Sequence, residues 1–183
     1  MQLHTANGRK WLDHKVVKAV VKGNLLFELI YYYGMRRGEP GLLKPAHLTE
    51  DGLLITRLKR RELFQHLLPL PAMFRDRLLE RFVQNSNGDW LFPGYKGQGI
   101  SGSAVAKQWH ELCRQSGLFK NKPLPKCHSL RHSCAMSFFS LKGRPIEECR
   151  AWLGHATGVT TEVYYTVEAT RLNQIAKEIE SEF

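Results

Sequence analysis

A chain of 183 residues with 43% hydrophobic content can bury one core, and no Pro/Gly/Ser-rich linker divides it, so one compact domain is expected. Lys and Arg number 27 against 17 Asp and Glu, a formal charge of +10 that favours a polyanionic partner. No apolar run approaches the roughly 20 residues of a membrane span, and the N-terminus has no signal-peptide pattern, so a cytoplasmic protein is expected.

From Val16 to Tyr33 the chain is apolar on more than one face, through Val20, Leu25, Leu26, Leu29 and Ile30. Gly23-Asn24 breaks this run and Gly34 stops it, which predicts two helices, the second well buried. Leu53 to Thr56 and Leu63 to Leu68 are β-leaning runs on either side of Arg57-Leu58-Lys59-Arg60-Arg61, a predicted hairpin with a cationic tip that Pro69 ends. Pro71 suits the first turn of a helix reaching about Val83, and Asn85-Ser86-Asn87-Gly88 breaks it. Ser103 is the predicted N-cap of a helix with Val105, Trp109 and Leu112 on one stripe and Gly117 as its stop. A further helix is predicted from about Ser129 to Leu141, bounded by Gly143.

Pro145 opens the next helix, with Ile146, Cys149 and Leu153 inward and Gly154 at its end, which sets His155 just past the turn. Thr160 can cap a short helix bearing Tyr164, and Leu172, Ile175, Ala176 and Ile179 make an apolar stripe on a last helix. The predicted fold class is α+β, mostly α-helical, with a small antiparallel β-sheet in the N-terminal half. Cys113, Cys127, Cys134 and Cys149 lack CxxC spacing, so reduced, mostly buried thiols are expected and neither a zinc ribbon nor a dithiol motif is indicated.

The residues with chemical potential cluster late in the chain. His128-Ser-Leu-Arg131-His132, Leu153-Gly154-His155 and Tyr164 place histidines and an arginine upstream of a phenol, a set suited to attack on a phosphodiester. A tyrosine hydroxyl ionises near pH 10, so it needs a base or a strong local field before it attacks phosphorus. In-line attack spreads negative charge over the non-bridging oxygens, which planar guanidinium groups such as Arg36 and Arg131 can bind in bidentate fashion. Lys59, on a hairpin tip, is a candidate general acid for the leaving 5′ oxygen. His128 and His155 can move protons near neutral pH, and His128 shares a helix face with Arg131 three residues on. His132 reads as a supporting histidine. No acidic cluster accompanies these residues, so no metal and no cofactor are expected.

Order and spacing decide what the single elements cannot. His128-Ser-Leu-Arg131-His132, then Leu153-Gly154-His155, then Tyr164 nine residues later resemble the signature of the tyrosine recombinase (phage integrase) family. Gly34-Met35-Arg36-Arg37-Gly38-Glu39 resembles that family's first box, and Lys59 its β-hairpin lysine, so the resemblance runs from about Gly34 to Tyr165.

The resemblance implies the DNA breaking-rejoining fold and a site-specific recombinase that cleaves and rejoins DNA through a covalent 3′-phosphotyrosyl link, in integration, excision or inversion of a mobile element or prophage. Arg36, His128, Arg131 and His155 would surround the scissile phosphate, Lys59 would protonate the leaving oxygen, Tyr164 would be the nucleophile with Tyr165 the second candidate, and Glu39 would support the first arginine. Pro40, directly after Glu39, departs from the family pattern by interrupting a helix. Arg37, Arg57, Arg60 and Arg61 are expected to contact DNA. The whole of 1–183 would be one catalytic domain without the N-terminal core-binding domain, since the first box lies only some 33 residues in. Implied partners are double-stranded DNA, further copies of the chain (monomeric when free, tetrameric in the synaptic complex) and an accessory DNA-bending protein, in the nucleoid-associated cytoplasm. The last helix, from about Thr170 to Phe183, resembles a segment that docks onto a neighbour, with packing on its own domain as the alternative. Three other readings compete: a type IB topoisomerase, disfavoured by His128; a non-cleaving DNA-binding regulator, disfavoured by six filled site positions; and a zinc pair at His128 and His132, disfavoured by the lack of an HExxH glutamate.

Overall fold

Leu25–Tyr32 (α2) has no polar face, and all eight of its residues are buried, so the rest of the chain is arranged around it. Its one charged residue, Glu28, accepts from Gly23 N at 2.8 Å and pairs with Arg77. Asn24 caps its start by accepting from Phe27 N, and His14–Val21 (α1) precedes it across Gly23. The computed structural model describes residues 3–6, 9–59, 62–84, 89–154 and 169–181, with backbone alone at 3–6, 9–10, 59, 62 and 169.

Two antiparallel hairpins flank this core. Leu3–Ala6 (β1) pairs with Arg9–Leu12 (β2), an element the sequence reading did not anticipate, and Leu53–Lys59 (β3) pairs with Glu62–Leu68 (β4). In β3 the inward positions are Leu53, Ile55 and Arg57, each fully buried, while Leu54, Thr56 and Leu58 are half-buried. The strand continues through residues assigned to the hairpin tip, so Arg57 sits on the core face.

Ala72–Gln84 (α3) follows Pro71 and buries Phe74 and Leu78. Gly102–Gln115 (α4) is capped by Ser101, whose Oγ accepts from Ala104 N at 3.2 Å, two residues before the expected cap; Ser103 lies inside the first turn with its Oγ 3.0 Å from that of Ser101. His128–Phe138 (α5) packs on β2, α1 and α2, and Ser133 Oγ accepts from Leu12 N at 2.8 Å. It is shorter than expected, giving way to a 3-10 turn over Ser140–Lys142 before Gly143 at φ 65°.

Ile146–Leu153 (α6) differs from its predicted inner face. Ile146 is 59% exposed, while Trp152 is fully buried and stacks on Tyr33 with ring centroids 5.9 Å apart. Ala169–Glu180 (α7) packs on its own chain: Ile175, Ala176 and Ile179 are buried, Ala176 O accepts from Tyr32 Oη at 2.9 Å, and Arg171 grips both oxygens of Glu148 at 2.7 and 3.1 Å. The fold is α+β and mostly helical, and among the described residues no helix is long and apolar enough to cross a membrane.

Candidate active site

Helix C-termini leave carbonyls without intrahelical partners, and the C-terminal ends of α2 and α6 lie side by side at the centre of the molecule. Both helices give way there to left-handed glycines, Gly34 at φ 57° and Gly154 at φ 63°. Two arginines fill the gap. Arg57 Nη2 donates to Tyr33 O at 3.2 Å and to Trp152 O at 3.0 Å. Arg131 donates from Nη1 to Gly34 O and from Nη2 to Leu153 O, the latter at 2.9 Å. The negative ends of two helix dipoles thus face two buried guanidinium groups and offset part of their desolvation.

Glu39 supplies the neutralising carboxylate. It is fully buried and accepts four hydrogen bonds, two on each oxygen: Arg36 Nη1 and Leu58 N at 3.0 Å on Oε1, Arg36 N at 2.8 Å and Arg57 Nη1 at 3.1 Å on Oε2. Burial alone would raise its pKa, but Arg57 and these donors hold it below the ordinary carboxylate value. Pro40 opens a 3-10 turn over Pro40–Leu42 directly after Glu39, so the chain leaves the site without a longer helix.

His66 of β4 closes the back of this cluster. Its Nδ1 accepts from Arg57 Nε at 3.3 Å, and burial together with Arg57 and Arg131 pushes its pKa down to about 3, so the ring is neutral at physiological pH. Burial, Arg57 and Arg36 also lower the pKa of Arg131, to about 9, which still leaves it protonated at neutral pH.

The front of the cluster opens into a cleft of about 580 Å3 lined by Arg36, Arg37, Ala106, His110, Lys126, Cys127 and His128. None of these residues is acidic. The Arg36 side chain is 29% exposed and, among the described residues, is held by Glu39 through Nη1. His128 and His132 stand edge to face with ring centroids 4.6 Å apart. Three guanidinium groups against one carboxylate leave two positive charges unbalanced among Arg36, Arg57, Arg131 and Glu39, beside a cleft that adds further cations. Such a site attracts a compact polyanion. Cys127, also in the cleft, has its thiol pushed up to about 12 by burial, which makes it a poor nucleophile and fits a packing role.

The structure brings Arg36, Glu39, His128 and Arg131 together from two separate segments, with Arg37 in the same cleft. One expectation is overturned. Arg57 is fully buried with all its bonds to protein groups, so it does not contact DNA; the inward alternation of β3 carries it into the core. Lys59 is described by its backbone only, as the last residue of β3 paired with Glu62. Arg60, Arg61, His155, Tyr164 and Tyr165 lie outside the described residues, as does the helix start expected at Thr160. His110 and Lys126 were missed by the sequence reading. Lys126 could have been found as a cation two residues before His128, whereas nothing in the local pattern of His110 marks it.

The sequence profile described as the phage integrase family matches residues 11–171. The chain is similar to the tyrosine recombinase XerD of Brucella abortus (strain 2308), at 28% identity over 162 residues covering 84% of this chain and 50% of XerD, so it spans about half the length of that relative. Among solved structures it resembles the lambda integrase catalytic core, with a TM-score of 0.61 at 18% identity over 80% of this chain and 92% of that one. It also resembles a lambda integrase tetramer bound to a Holliday junction, with a TM-score of 0.61 at 17% identity over 84% and 49%. By a profile that spans most of its length, and with the fold to match, the chain belongs to the phage integrase family.

Proposed function

We propose that this chain is the catalytic domain of a site-specific DNA recombinase that breaks and rejoins DNA strands through a covalent link to Tyr164. The observation that carries the reading is the unbalanced guanidinium cluster beside an acid-free cleft, a receptor for a phosphodiester that becomes more negative as it reacts. Arg36 and Arg131 bind the non-bridging oxygens. The Tyr164 phenol loses its proton to His128 or His155 and its oxygen forms a bond to phosphorus, while the bond to the 5′ oxygen breaks and Lys59 protonates that oxygen. The phosphotyrosyl ester retains the energy of the broken bond, so a new 5′ hydroxyl reverses the step without ATP.

The lambda integrase tetramer on a Holliday junction shares this fold, which supports a reading in which copies of this chain act together on paired duplexes. Double-stranded DNA is the substrate, an accessory DNA-bending protein assists, and the reaction takes place in the cytoplasm. The event it performs is integration, excision or inversion of a mobile element.

The test uses a pool of nicked duplexes cut from the source genome, in which cleavage releases a short fragment and traps the covalent intermediate. Wild-type protein with EDTA present is expected to give a DNA-linked band on a denaturing gel. Tyr164→Phe is expected to abolish it and Tyr165→Phe to retain it. Intact DNA binding with no adduct at any salt concentration would overturn the reading.

A further inference from the structure

Arg57 occupies a strand position that continues the apolar series Leu53 and Ile55, where an aliphatic side chain would fill the core without a charge to desolvate. Buried ion pairs are often no more stabilising than apolar side chains of similar volume, so stability alone is a weak reason for a guanidinium here. Its partners come from four segments: Tyr33 O at the end of α2, Glu39 beyond Arg36, His66 in β4, and Trp152 O in the last turn of α6. Two of these lead to the other two arginines, Arg36 in the lining of the cleft and the buried Arg131. Glu39 bonds Arg57 through Oε2 and Arg36 through Oε1, and the carbonyl after Trp152, that of Leu153, holds Arg131.

The close fit extends to the backbone. A Cβ on Gly154 would stand 3.1 Å from both Arg57 and His66. This turn therefore packs directly on the guanidinium, immediately before His155.

We propose that Arg57 is a positioning residue for strand cleavage: by fixing Glu39 and the end of α6 it holds Arg36 and Arg131 in place for one phosphate, a role that rests on the recombinase reading above. It does not touch DNA. With Arg57 replaced, Glu39 keeps its bonds to Arg36 and Leu58 but loses the donor that fixes Oε2 from behind, and the carboxylate can turn with Arg36. Preorganised charge then becomes charge that must be oriented during the reaction.

The experiment measures single-turnover cleavage of the trapping duplex by wild type, Arg57→Met, Arg57→Lys, Arg36→Ala and the double variant Arg57→Met/Arg36→Ala, each checked for cooperative thermal unfolding. Arg57→Met is expected to slow cleavage about 100-fold, the scale of an ångström-sized misplacement, with DNA affinity within about 3-fold of wild type. Arg57→Lys, which keeps a cation against Glu39, is expected to recover about 10-fold of that loss. The double variant is expected to fall far short of the product of the single losses, because Arg57 works through Arg36. A fully multiplicative loss would mark a merely structural role, and an unchanged rate in Arg57→Met would also overturn the proposal. If Arg57→Met fails to unfold cooperatively, the same cycle built with Arg57→Lys decides between these outcomes. A wild type that forms no adduct removes the recombinase reading itself, whereas wild-type cleavage with an unaffected Arg57→Met removes this inference alone.

Discussion

Arg57 and Arg131 bind consecutive carbonyls at the same two helix ends: Arg57 takes Tyr33 and Trp152, Arg131 takes Gly34 and Leu153. The two guanidinium groups thereby join α2 to α6 at the point where both helices stop. Arg57 and Arg131 are thus fixed by backbone carbonyls, and among the described residues the carboxylate that neutralises the cluster is Glu39.

Removing that charge should be costly. Glu39→Gln would leave Arg57 as a buried cation without its counterion and would turn an amide NH2 toward two of the four donors. We expect a loss of about 3–5 kcal/mol in urea unfolding, the scale of breaking a buried pair from one side. A loss below about 1 kcal/mol would mean that the helix-end carbonyls alone hold Arg57.

Acid should weaken the fold through His66. Its pKa falls from an ordinary 6.5 to about 3 on folding, so between those values the unfolded chain binds a proton that the folded chain refuses. Its contribution is complete above pH 6.5 and is lost as pH falls below it, at up to about 1.4 kcal/mol per pH unit. Glu39, whose pKa is also lowered, keeps its contribution above its ordinary 4.5 and loses it only at lower pH. The window from 6.5 to 4.5 therefore isolates His66 from Glu39. Unfolding of His66→Asn measured across that window should show a shallower slope than wild type, and equal slopes would contradict the buried neutral ring.

Two glycines separate backbone strain from packing. Gly34→Ala places a Cβ 2.2 Å from Leu153 Cδ2 at φ 57°, whereas Gly23→Ala at φ 79° meets nothing within 4 Å. Left-handed strain of about 1 kcal/mol applies to both. Gly34→Ala should cost at least about 1 kcal/mol more, because Leu153 is buried and its carbonyl holds Arg131. Equal unfolding midpoints for the two variants would show that Leu153 moves aside freely.

Lys126 should report on the cleft. Neutralising one phosphate contact lowers the slope of log affinity against log salt by about 0.9, so Lys126→Gln should reduce that slope by about one without altering the sequence preference. Lys120, exposed but outside the lining of the cleft, should leave the slope unchanged. Matching slopes for wild type and Lys126→Gln would remove the cleft from the path of the DNA backbone.

Much of this site could be read in the sequence because its parts are local. His128 and Arg131 are three apart on one helix, and Arg36 and Glu39 are three apart in one turn, so spacing alone places each pair. Arg57 was misread because it lies among other basic residues, although the alternation Leu53, Ile55, Arg57 already pointed inward. The N-terminal hairpin, absent from the expected elements, has its own signal in Asn7-Gly8 between two short runs. What no local pattern could provide is the meeting of Tyr33, Trp152 and His66 around one guanidinium, since these depend on how α2, α6 and β4 converge. The placement of Ile146 outward and Trp152 inward on α6 has the same origin, because the tertiary contact of Trp152 with Tyr33 sets the rotation of a short helix.

If Arg36 and Arg131 act by meeting negative charge on a phosphate, removing that charge from the phosphate removes their effect. Single-turnover cleavage should be compared on a trapping duplex with an ordinary phosphodiester and on one with a neutral methylphosphonate at the scissile position. On the phosphodiester, Arg36→Ala should lose about 10²–10³-fold in rate, the usual scale for removing one preorganised donor. On the methylphosphonate the same variant should cleave within about 10-fold of wild type, because little charge remains to be met. Equal losses on both duplexes would contradict the account and assign the arginine cluster to holding the fold rather than the phosphate.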